Sequence, residues 1–280
     1  MFSVVIPLYN KELSITNTVQ SVLDQTCQNF EIVIINDGST DSSVKAVEAI
    51  NDNRIRLIHQ ENQGVSAARN RGIKEAKFEW IAFLDGDDLW EPNHLEEITK
   101  MMNLYPEEKV FVTSFVYSDN RQMFKHPRAT PIFKIENYFK EALKESLMWT
   151  SIVVAYKNCF DDAGGFNEAL KYGEDLDLWS RLASFFPIVK SIAITAIYRV
   201  DAENRSYLNQ RLENCFEYHI QLGNVTDKDK RVYLSFLINS KLFAYLRSGE
   251  IKTFIKLKKK QNNTLFALFL MQKFKGLITK

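Results

Sequence analysis

Proline, glycine and cysteine are scarce in this sequence, and long apolar runs are missing from it. Six prolines and ten glycines in 280 residues exclude a collagen-like repeat and argue against a disordered chain. Three distant cysteines, Cys27, Cys159 and Cys215, form no disulfide framework or metal motif, which fits a protein of the reducing cytosol. No run of about eighteen uncharged apolar residues predicts a transmembrane helix. The opening "MFSVVIPLY" carries no basic leader, so we interpret it as a first strand and not as a signal peptide.

Charge is balanced overall but unevenly distributed along the chain. The net charge of +1 gives no global field that would recruit nucleic acid. Residues 251–280 contain eight lysines and no acid, which leaves 28 basic against 35 acidic residues in 1–250. Bulky apolar residues accompany these lysines, so the tail suits a helix that lies on an anionic membrane at the inner face of the cell. A helix packed on the protein with a solvated lysine face is the alternative.

Short apolar segments alternate with helical patterns in the first third of the chain. Strands are predicted at 2–8, 30–37, 54–60 and 79–85, with helices at about 11–25, 41–50 and 64–76 between them. This alternation predicts an α/β fold with a mostly parallel central sheet flanked by helices. Ligand sites in such sheets lie beyond the carboxyl ends of the strands.

The pattern changes after residue 92. We expect helices at 93–103, 135–147 and 174–186, strands at 109–118, 149–156 and 188–200, and helical structure from 205 to the end. The sequence therefore predicts a catalytic domain at 1–204 and a helical extension at 205–280.

Three acids follow the fourth predicted strand in "WIAFLDGDDLWEP". In extended backbone, Asp85 and Asp87 leave the same face and Asp88 points away from it. Two close carboxylates suit a hard cation such as Mg²⁺ or Mn²⁺, which commonly adds phosphate oxygens and water to its protein ligands. A nucleotide substrate would supply that phosphate; a solvated acidic turn is the alternative.

Other strand ends offer groups for a nucleoside. Asp37 could accept hydrogen bonds from a base or ribose, and the Tyr9 ring could lie against a base. Either Arg69 or Arg71 could reach a phosphate or base, but both cannot face the sheet. Ser39 and Asp41 suit the turn that caps the next helix.

Glu174 and Asp175 open a predicted helix in "KYGEDLDLWSR". The positive end of a helix dipole favours an ionised carboxylate, so either residue could serve as a general base. We favour Asp175 as the base, with Glu174 orienting the acceptor or the base. First-turn acids that only favour the helix are the alternative.

Five blocks resemble, in order and near spacing, the family 2 glycosyltransferases: "SVVIPLYN", "FEIVIINDGSTD", "NQGVSAARNRGI", "WIAFLDGDDLWEP" and "GGFNEALKYGEDLDLWSRLA". Together they cover about residues 1–200. The resemblance implies a GT-A fold, a nucleotide-sugar donor, Mn²⁺ or Mg²⁺ on the diphosphate, and inversion at the anomeric carbon. The residues that it implies in the nucleotide-sugar site are Pro7, Tyr9, Asp37, Arg69, Asp85 and Gly86.

The same resemblance implies Asp87 as the direct metal ligand, Asp85 beside the metal, and Glu174 with Asp175 as the source of the base. Many relatives carry a histidine after the "YR" of the late strand, where this sequence has Asp201. Aspartate is also a ligand for a hard metal, so Asp201 is a third candidate ligand. Arg199 and Arg205 are candidates for contact with the diphosphate or for plain surface salt bridges.

Three classes of function compete at this point. The first is an inverting glycosyltransferase that transfers sugar from a UDP-sugar to a hydroxyl of a glycan or lipid-linked acceptor. The second is a phosphatase of the haloacid dehalogenase type, in which Asp85 would be a nucleophile. The third is a non-catalytic protein that keeps the fold.

Overall fold

The computed structural model describes residues 1–119, 121, 130–204, 211–261 and 266. It divides into two compact units, Met1–Leu208 and Asn209–Lys280. The first unit is built on one mixed sheet. Its strands are β1 Phe2–Leu8, β2 Phe30–Asp37, β3 Ile55–Gln60, β4 Trp80–Phe83, β5 Leu89–Trp90, β6 Val110–Tyr117, β7 Ile132–Ile135, β8 Val153–Tyr156 and β9 Ile188–Tyr198.

The sheet runs in the order β3-β2-β1-β4-β8-β6-β9-β5, and β7 also pairs with β9. Strands β3, β2, β1 and β4 are parallel, and β8 is antiparallel to both β4 and β6. Strand β9 is parallel to β6, whereas β5 and β7 are antiparallel to β9. Consequently β1, β2, β4, β6 and β9 all point their carboxyl ends to one edge of the sheet. The predicted α/β fold with a mostly parallel sheet is confirmed.

Helices connect the strands of this unit. They are α1 Ile15–Leu23, α2 Ser43–Glu48, α3 Val65–Glu75, α4 His94–Leu104, α5 Tyr138–Glu141, α6 Cys159–Ala163 and α7 Glu174–Phe185. Helix α3 crosses β1 so closely that a Cβ on Gly72 would lie 2.2 Å from Val5 Cγ1. Every residue of β2 is buried, and β1 is buried except at Pro7, so both strands are covered on both faces.

The second unit is helical in its described part. It contains α8 Phe216–His219, α9 Lys228–Arg247 and α10 Ile251–Gln261, with short 3₁₀ turns before α9. The apolar side chains Leu234, Ile238 and Leu242 recur on one buried face of α9. No helix in the described ranges is both long enough and apolar enough to cross a bilayer.

The helix expected at 135–147 was wrong. Residues 132–135 form β7, which pairs with β9, and only the four-residue α5 follows it. Phe133 and Ile135 are buried while Lys134 between them is exposed, so this segment alternates with the period of a strand. Pairing with β9 decided the structure of a segment whose local signal was ambiguous.

Candidate active site

The acidic cluster lies at the carboxyl edge of the sheet, in the turn after β4. The strand ends at Phe83, and the Asp88 amide donates to the Asp85 carbonyl at 3.1 Å. The expectation that these acids stand on extended backbone was therefore wrong. Gly86 is needed inside the turn, because a Cβ there would lie 3.0 Å from the Pro7 carbonyl oxygen at the end of β1.

Arg69 joins the acidic turn to the acids of α7. Its guanidinium donates to Asp85 Oδ1 at 2.6 Å and to Glu174 Oε1 at 2.9 Å, and its side chain is only 4% exposed. It also lies 5.0 Å from the centre of the Phe166 ring. Burial alone would lower the pKa of Arg69, but the charges of Asp85 and Glu174 outweigh it and raise the pKa further. A permanently charged fork thus holds two carboxylates from different parts of the chain.

Lys11 forms the salt bridge with Asp87. Its ammonium lies 2.6 Å from Asp87 Oδ2 and 2.5 Å from the Glu203 carbonyl oxygen. Burial raises the pKa of Asp87, although the charge and hydrogen bond of Lys11 act in the opposite direction. Asp87 therefore has a fixed positive partner.

Asp88 is buried and supports the turn from behind. It accepts hydrogen bonds from the Ser151 hydroxyl at 2.5 Å and the Arg199 amide at 3.2 Å. Burial, followed by the charges of Asp85 and Asp87, raises the pKa of Asp88 well above its usual value. The Asp85 amide donates to the same Ser151 hydroxyl at 3.2 Å, so Ser151 links both acids to the turn before β8.

Glu174 and Asp175 occupy the first turn of α7, as the sequence predicts. Gly173 precedes them with φ +73°, a left-handed conformation that favours glycine. Asp175 is half-buried, and its loss of water contacts, followed by the charge of Glu174, raises its pKa to about 7. Asp175 is therefore close to half-protonated at neutral pH, which is the condition of an efficient general base.

The groups expected to bind a nucleoside lie at the ends of β1 and β2. Tyr9 follows β1 and is 40% exposed, and Pro7 is half-buried within the strand. Asp37 is almost fully buried and accepts hydrogen bonds from the Gln60 side chain and from the amides of Gln63 and Gly64. A carboxylate has about four lone-pair sites, so three internal donors leave Asp37 one acceptor position.

Sequence reasoning missed Asn70. Its amide donates to the Phe166 carbonyl oxygen and to Glu168, and its oxygen accepts from the Phe166 amide. A Cβ on Gly165 would lie 2.5 Å from the Asn70 oxygen, which explains the glycine there. Asn70 thereby fixes the loop that leads to Glu174 against α3. Its place directly after Arg69 was the only signal.

Arg199 and Asp201, just after β9, contact each other and neighbouring hydroxyl groups. The Arg199 guanidinium donates to the Ser14 hydroxyl at 3.3 Å and lies 3.8 Å from Asp201. Asp201 is 67% exposed and accepts a hydrogen bond of 3.4 Å from Ser118. Arg205, the other proposed diphosphate contact, lies outside the described residues.

The donor set fits a hard divalent cation only in part. In the part of the chain that the structure describes, no three His, Cys, Asp or Glu side chains group so as to hold a metal ion. Asp85 and Asp87 supply carboxylate oxygens, and the Lys11 ammonium at 2.6 Å shows that Asp87 holds a positive group. Magnesium-type ions take one or two protein carboxylates when phosphate and water complete the shell. The residues therefore fit a cation that arrives with a diphosphate.

Comparison with known proteins identifies the family. Residues 3–161, more than half of the chain, match the profile described as "Glycosyl transferase family 2". The chain belongs to glycosyl transferase family 2. An uncharacterized glycosyltransferase of Rickettsia felis is 30% identical over 221 residues, which are 76% of this chain and 36% of that protein. The putative glycosyltransferase EpsH of Bacillus subtilis is 46% identical over 100 residues, which are 35% of this chain and 29% of that protein.

Solved structures match this family 2 chain in fold. S. aureus TarS 1–349 in complex with UDP-GlcNAc is 19% identical, with a TM-score of 0.71 over 85% of this chain and 71% of that chain. The fold class predicted for the chain, GT-A, is thereby confirmed. The chain spans about a third of the length of the two relatives named above, 36% of the Rickettsia felis protein and 29% of EpsH.

Proposed function

We propose that this chain is an inverting glycosyltransferase that moves a sugar from a UDP-sugar to a hydroxyl of a glycan or lipid-linked acceptor. One observation carries the proposal: four acids from distant parts of the sequence, Asp85, Asp87, Glu174 and Asp175, meet at one edge of the sheet. Arg69 and Lys11 form salt bridges with the first three of them. We place the reaction in residues 1–204 and regard 205–280 as an extension of that domain.

The nucleoside end of the donor belongs at the ends of β1 and β2. Tyr9 offers an exposed ring for a base, and Asp37 keeps one acceptor position for a base or ribose. The backbone of β1 at Pro7 and the backbone of the acidic turn at Gly86 approach each other closely, between these nucleoside groups and the acids. A UDP donor is supported by the fold shared with TarS, which was solved with UDP-GlcNAc.

The reacting hydroxyl must lose its proton as it attacks the anomeric carbon. Asp175 accepts that proton in the proposal, because its pKa of about 7 lets it be ionised before attack and protonated after it. Glu174 cannot share the role while it is bound to Arg69 at 2.9 Å. We therefore assign Arg69 to positioning Asp85 and Glu174, in place of the direct donor contact that the sequence suggested.

The leaving diphosphate must be neutralised on the other side of the sugar. Asp87, with Asp85 behind it, would hold Mn²⁺ or Mg²⁺ there, and Asp201 stays a candidate third ligand. A bound divalent cation supplies Lewis-acid stabilisation of the leaving group without a proton transfer. Arg199, whose amide donates to Asp88 and whose guanidinium donates to Ser14, would add positive charge there.

An aromatic cluster at the same edge of the sheet suits the acceptor. The ring centres of Trp149 and Tyr198 lie 4.0 Å apart, and those of Tyr117 and Tyr198 lie 5.3 Å apart. All three residues are half-buried. Tyr117 and Tyr198 end β6 and β9, whose carboxyl ends face the same way as that of β4. Aromatic rings combine an apolar face with polar tips, which matches the face of a sugar ring.

The helix α10 supports contact with an anionic membrane. Ile251 and Ile255 are 48% and 45% exposed and stand four residues apart, so they share one face of the helix. Lys252, Lys256 and Lys259 form a row beside them. Exposed apolar residues next to lysines suit the headgroup region of a bilayer. Most of 262–280 lies outside the described residues.

The experiment is donor hydrolysis by the purified chain. Release of UDP from UDP-GlcNAc and related UDP-sugars is measured with Mn²⁺, with Mg²⁺ and with a chelator. We expect release that needs the cation and that falls by about a hundredfold or more in Asp87→Ala. Release of inorganic phosphate from simple phosphate esters would favour the phosphatase alternative. Binding of UDP without turnover of any sugar donor would favour a non-catalytic protein.

A further inference from the structure

Lys11 makes three contacts that the proposed reaction does not explain. Its ammonium touches Asp87 Oδ2 at 2.6 Å and the carbonyl oxygens of Glu203 and Asn204 at 2.5 and 3.4 Å. The side chains of Lys11 and Asp87 are only 13% and 17% exposed, so water screens this pair weakly. Lys11 thus bridges an acid of the site to the main chain of residues 199–204, which we call the 199–204 segment.

The 199–204 segment is also attached to the start of α1. The Glu203 carboxylate accepts hydrogen bonds from the amides of Leu13 and Ser14 and from the Ser14 hydroxyl. The Asn204 side chain donates to the Tyr9 carbonyl oxygen at 3.1 Å. These contacts tie the segment to the loop between β1 and α1, and Lys11 is the one among them that also reaches Asp87.

We infer that the Lys11 ammonium is a built-in counter-ion of Asp87 that a divalent cation must displace, and that its displacement releases the backbone of Glu203 and Asn204 from the site. The inference rests on the proposed metal role of Asp87. Two cations cannot share one carboxylate oxygen without strong repulsion at such distances. A cation that binds Asp87 through Oδ2 therefore removes Lys11, and the Glu203 carbonyl oxygen loses the Lys11 donor at the same moment.

The consequence is a coupling between cation binding and the order of the segment. Without the cation, Lys11 neutralises Asp87 and holds the segment against it. With the cation, Asp87 is neutralised by the ion. The segment keeps its contacts with α1, Tyr9, Asp88 and Ser118 but loses those of its Glu203 and Asn204 carbonyl oxygens with Lys11. By reciprocity, the energy that holds the segment in place opposes cation binding.

Mn²⁺ binding in the presence of saturating UDP tests the first step. Free Mn²⁺ is measured by electron paramagnetic resonance for the wild type, Lys11→Met and the matched control Lys45→Met, whose lysine is exposed on α2. We expect Lys11→Met to bind Mn²⁺ about tenfold more tightly than the other two, which corresponds to about 1.4 kcal/mol. Equal affinity of all three proteins overturns the inference.

The single variant Asp87→Asn, compared with Lys11→Met, separates this inference from the metal proposal. If Mn²⁺ binding is unchanged by Asp87→Asn, the proposed metal role of Asp87 fails. If Asp87→Asn abolishes binding while Lys11→Met has no effect, only the counter-ion inference fails.

Amine labelling of the wild type needs no folded variant. Lysine acetylation read by mass spectrometry should be slow at Lys11 without Mn²⁺ and several-fold faster with it, while Lys45 does not change. Amide hydrogen exchange in residues 199–204 should speed up under the same conditions. If saturating Mn²⁺ changes neither the labelling rate of Lys11 nor the amide exchange of the 199–204 segment, the coupling is contradicted.

Discussion

At the scale of single residues, Asp175 differs from Asp85, Asp87 and Glu174 in its charge environment. Each of those three has a salt bridge to Arg69 or Lys11, whereas Asp175 has none among the described residues. Its environment is instead set by lost water contacts, by the charges of Glu174 and Asp85 and by the more distant charge of Arg69. The pKa of Asp175 therefore lies close to neutrality.

The first prediction concerns the pH dependence of sugar transfer. Because a base must be ionised before attack, the rate should rise with pH through about 7 and level off above it. Initial rates of UDP release in the presence of acceptor, measured from about pH 5.5 to 9 at saturating donor, check this. In Asp175→Asn the rise should disappear together with most of the rate. A wild-type rate that is already maximal at pH 5.5 would mean that Asp175 is not the base.

The second prediction concerns stability at the same residue. The pKa of Asp175 is raised from 3.8 to about 7 on folding, so its charge destabilises the folded protein above pH 7. That penalty shrinks as the pH falls from 7 towards 4, because the folded protein then takes up the proton first. Asp175→Asn should therefore unfold with a free energy higher by about 1 to 3 kcal/mol at pH 8 and close to the wild type at pH 4.

Chemical denaturation at both pH values provides the measurement. Asp177→Asn on the same helix is the control. Asp177 forms a salt bridge with Arg181, so removal of its charge should lower the free energy of unfolding. An Asp175→Asn protein that is less stable than the wild type at pH 8 would contradict the assigned pKa.

At the scale of elements, Arg69 connects α3, the turn after β4 and the first turn of α7. Its positive charge lowers the pKa of Asp175, against the effects of burial and Glu174. Replacing it by Met should therefore move the midpoint of the pH profile above 7 and leave Asp85 and Glu174 without a partner. Loss of one partner of a buried pair costs about 3 to 5 kcal/mol of stability.

Arg71→Met is the matched control for Arg69→Met. Arg71 lies on the same helix, is 45% exposed and pairs only with Glu75. We expect Arg71→Met to keep the wild-type midpoint and to change stability by less than about 1 kcal/mol. Arg69→Lys, which keeps the charge but not the fork, should retain the midpoint better than Arg69→Met. If Arg69→Met and Arg71→Met behave alike, Arg69 has no positioning role.

The elements that sequence reasoning found are those with strong local signals. Strands β1 and β2 each contain a run of buried apolar residues, and both were predicted with the correct bounds. The direction of β8 and the existence of β7 were not predictable, because pairing with β6 and β9 determines both. The same limit applies within the site. The motif positions of Asp85 and Glu174 were visible. The Arg69 guanidinium that joins them was not, because Arg69 lies 16 residues from Asp85 and 105 from Glu174 in sequence.

Lys11 illustrates the limit most clearly. In the sequence it is one of several charged residues before a helix, and nothing local distinguishes it from Glu12. Its two partners, Asp87 and Glu203, lie 76 and 192 residues away. Only the folded sheet, which brings the ends of β1, β4 and β9 to one edge, gives Lys11 its place.

At the scale of the whole molecule, charge is divided between the two parts of the chain. Residues 1–250 carry about seven more acids than bases, whereas 251–280 carry eight lysines and no acid. An acidic body is repelled by an anionic surface, so any attraction to one must come from the tail. The rows of exposed isoleucines and lysines on α10 belong to this tail.

The last prediction tests the tail with two triple variants of equal net charge. Lys252, Lys256 and Lys259 are replaced by Gln in one protein, and the exposed lysines Lys45, Lys74 and Lys77 in the other. Each lysine near an anionic surface contributes about 1 kcal/mol, so the first variant should lose about a hundredfold in affinity for vesicles that contain phosphatidylglycerol. The second should bind like the wild type, because its lysines lie on the acidic body.

Sedimentation with vesicles at low salt measures both variants, and added salt should release the wild type because the attraction is screened. Vesicles of phosphatidylcholine alone should bind none of the proteins strongly, since two exposed isoleucines bury little apolar area. Equal loss of binding in the two triple variants would mean that net charge alone matters. Equal binding by all three proteins would mean that α10 is a packed helix with a solvated lysine face and makes no membrane contact.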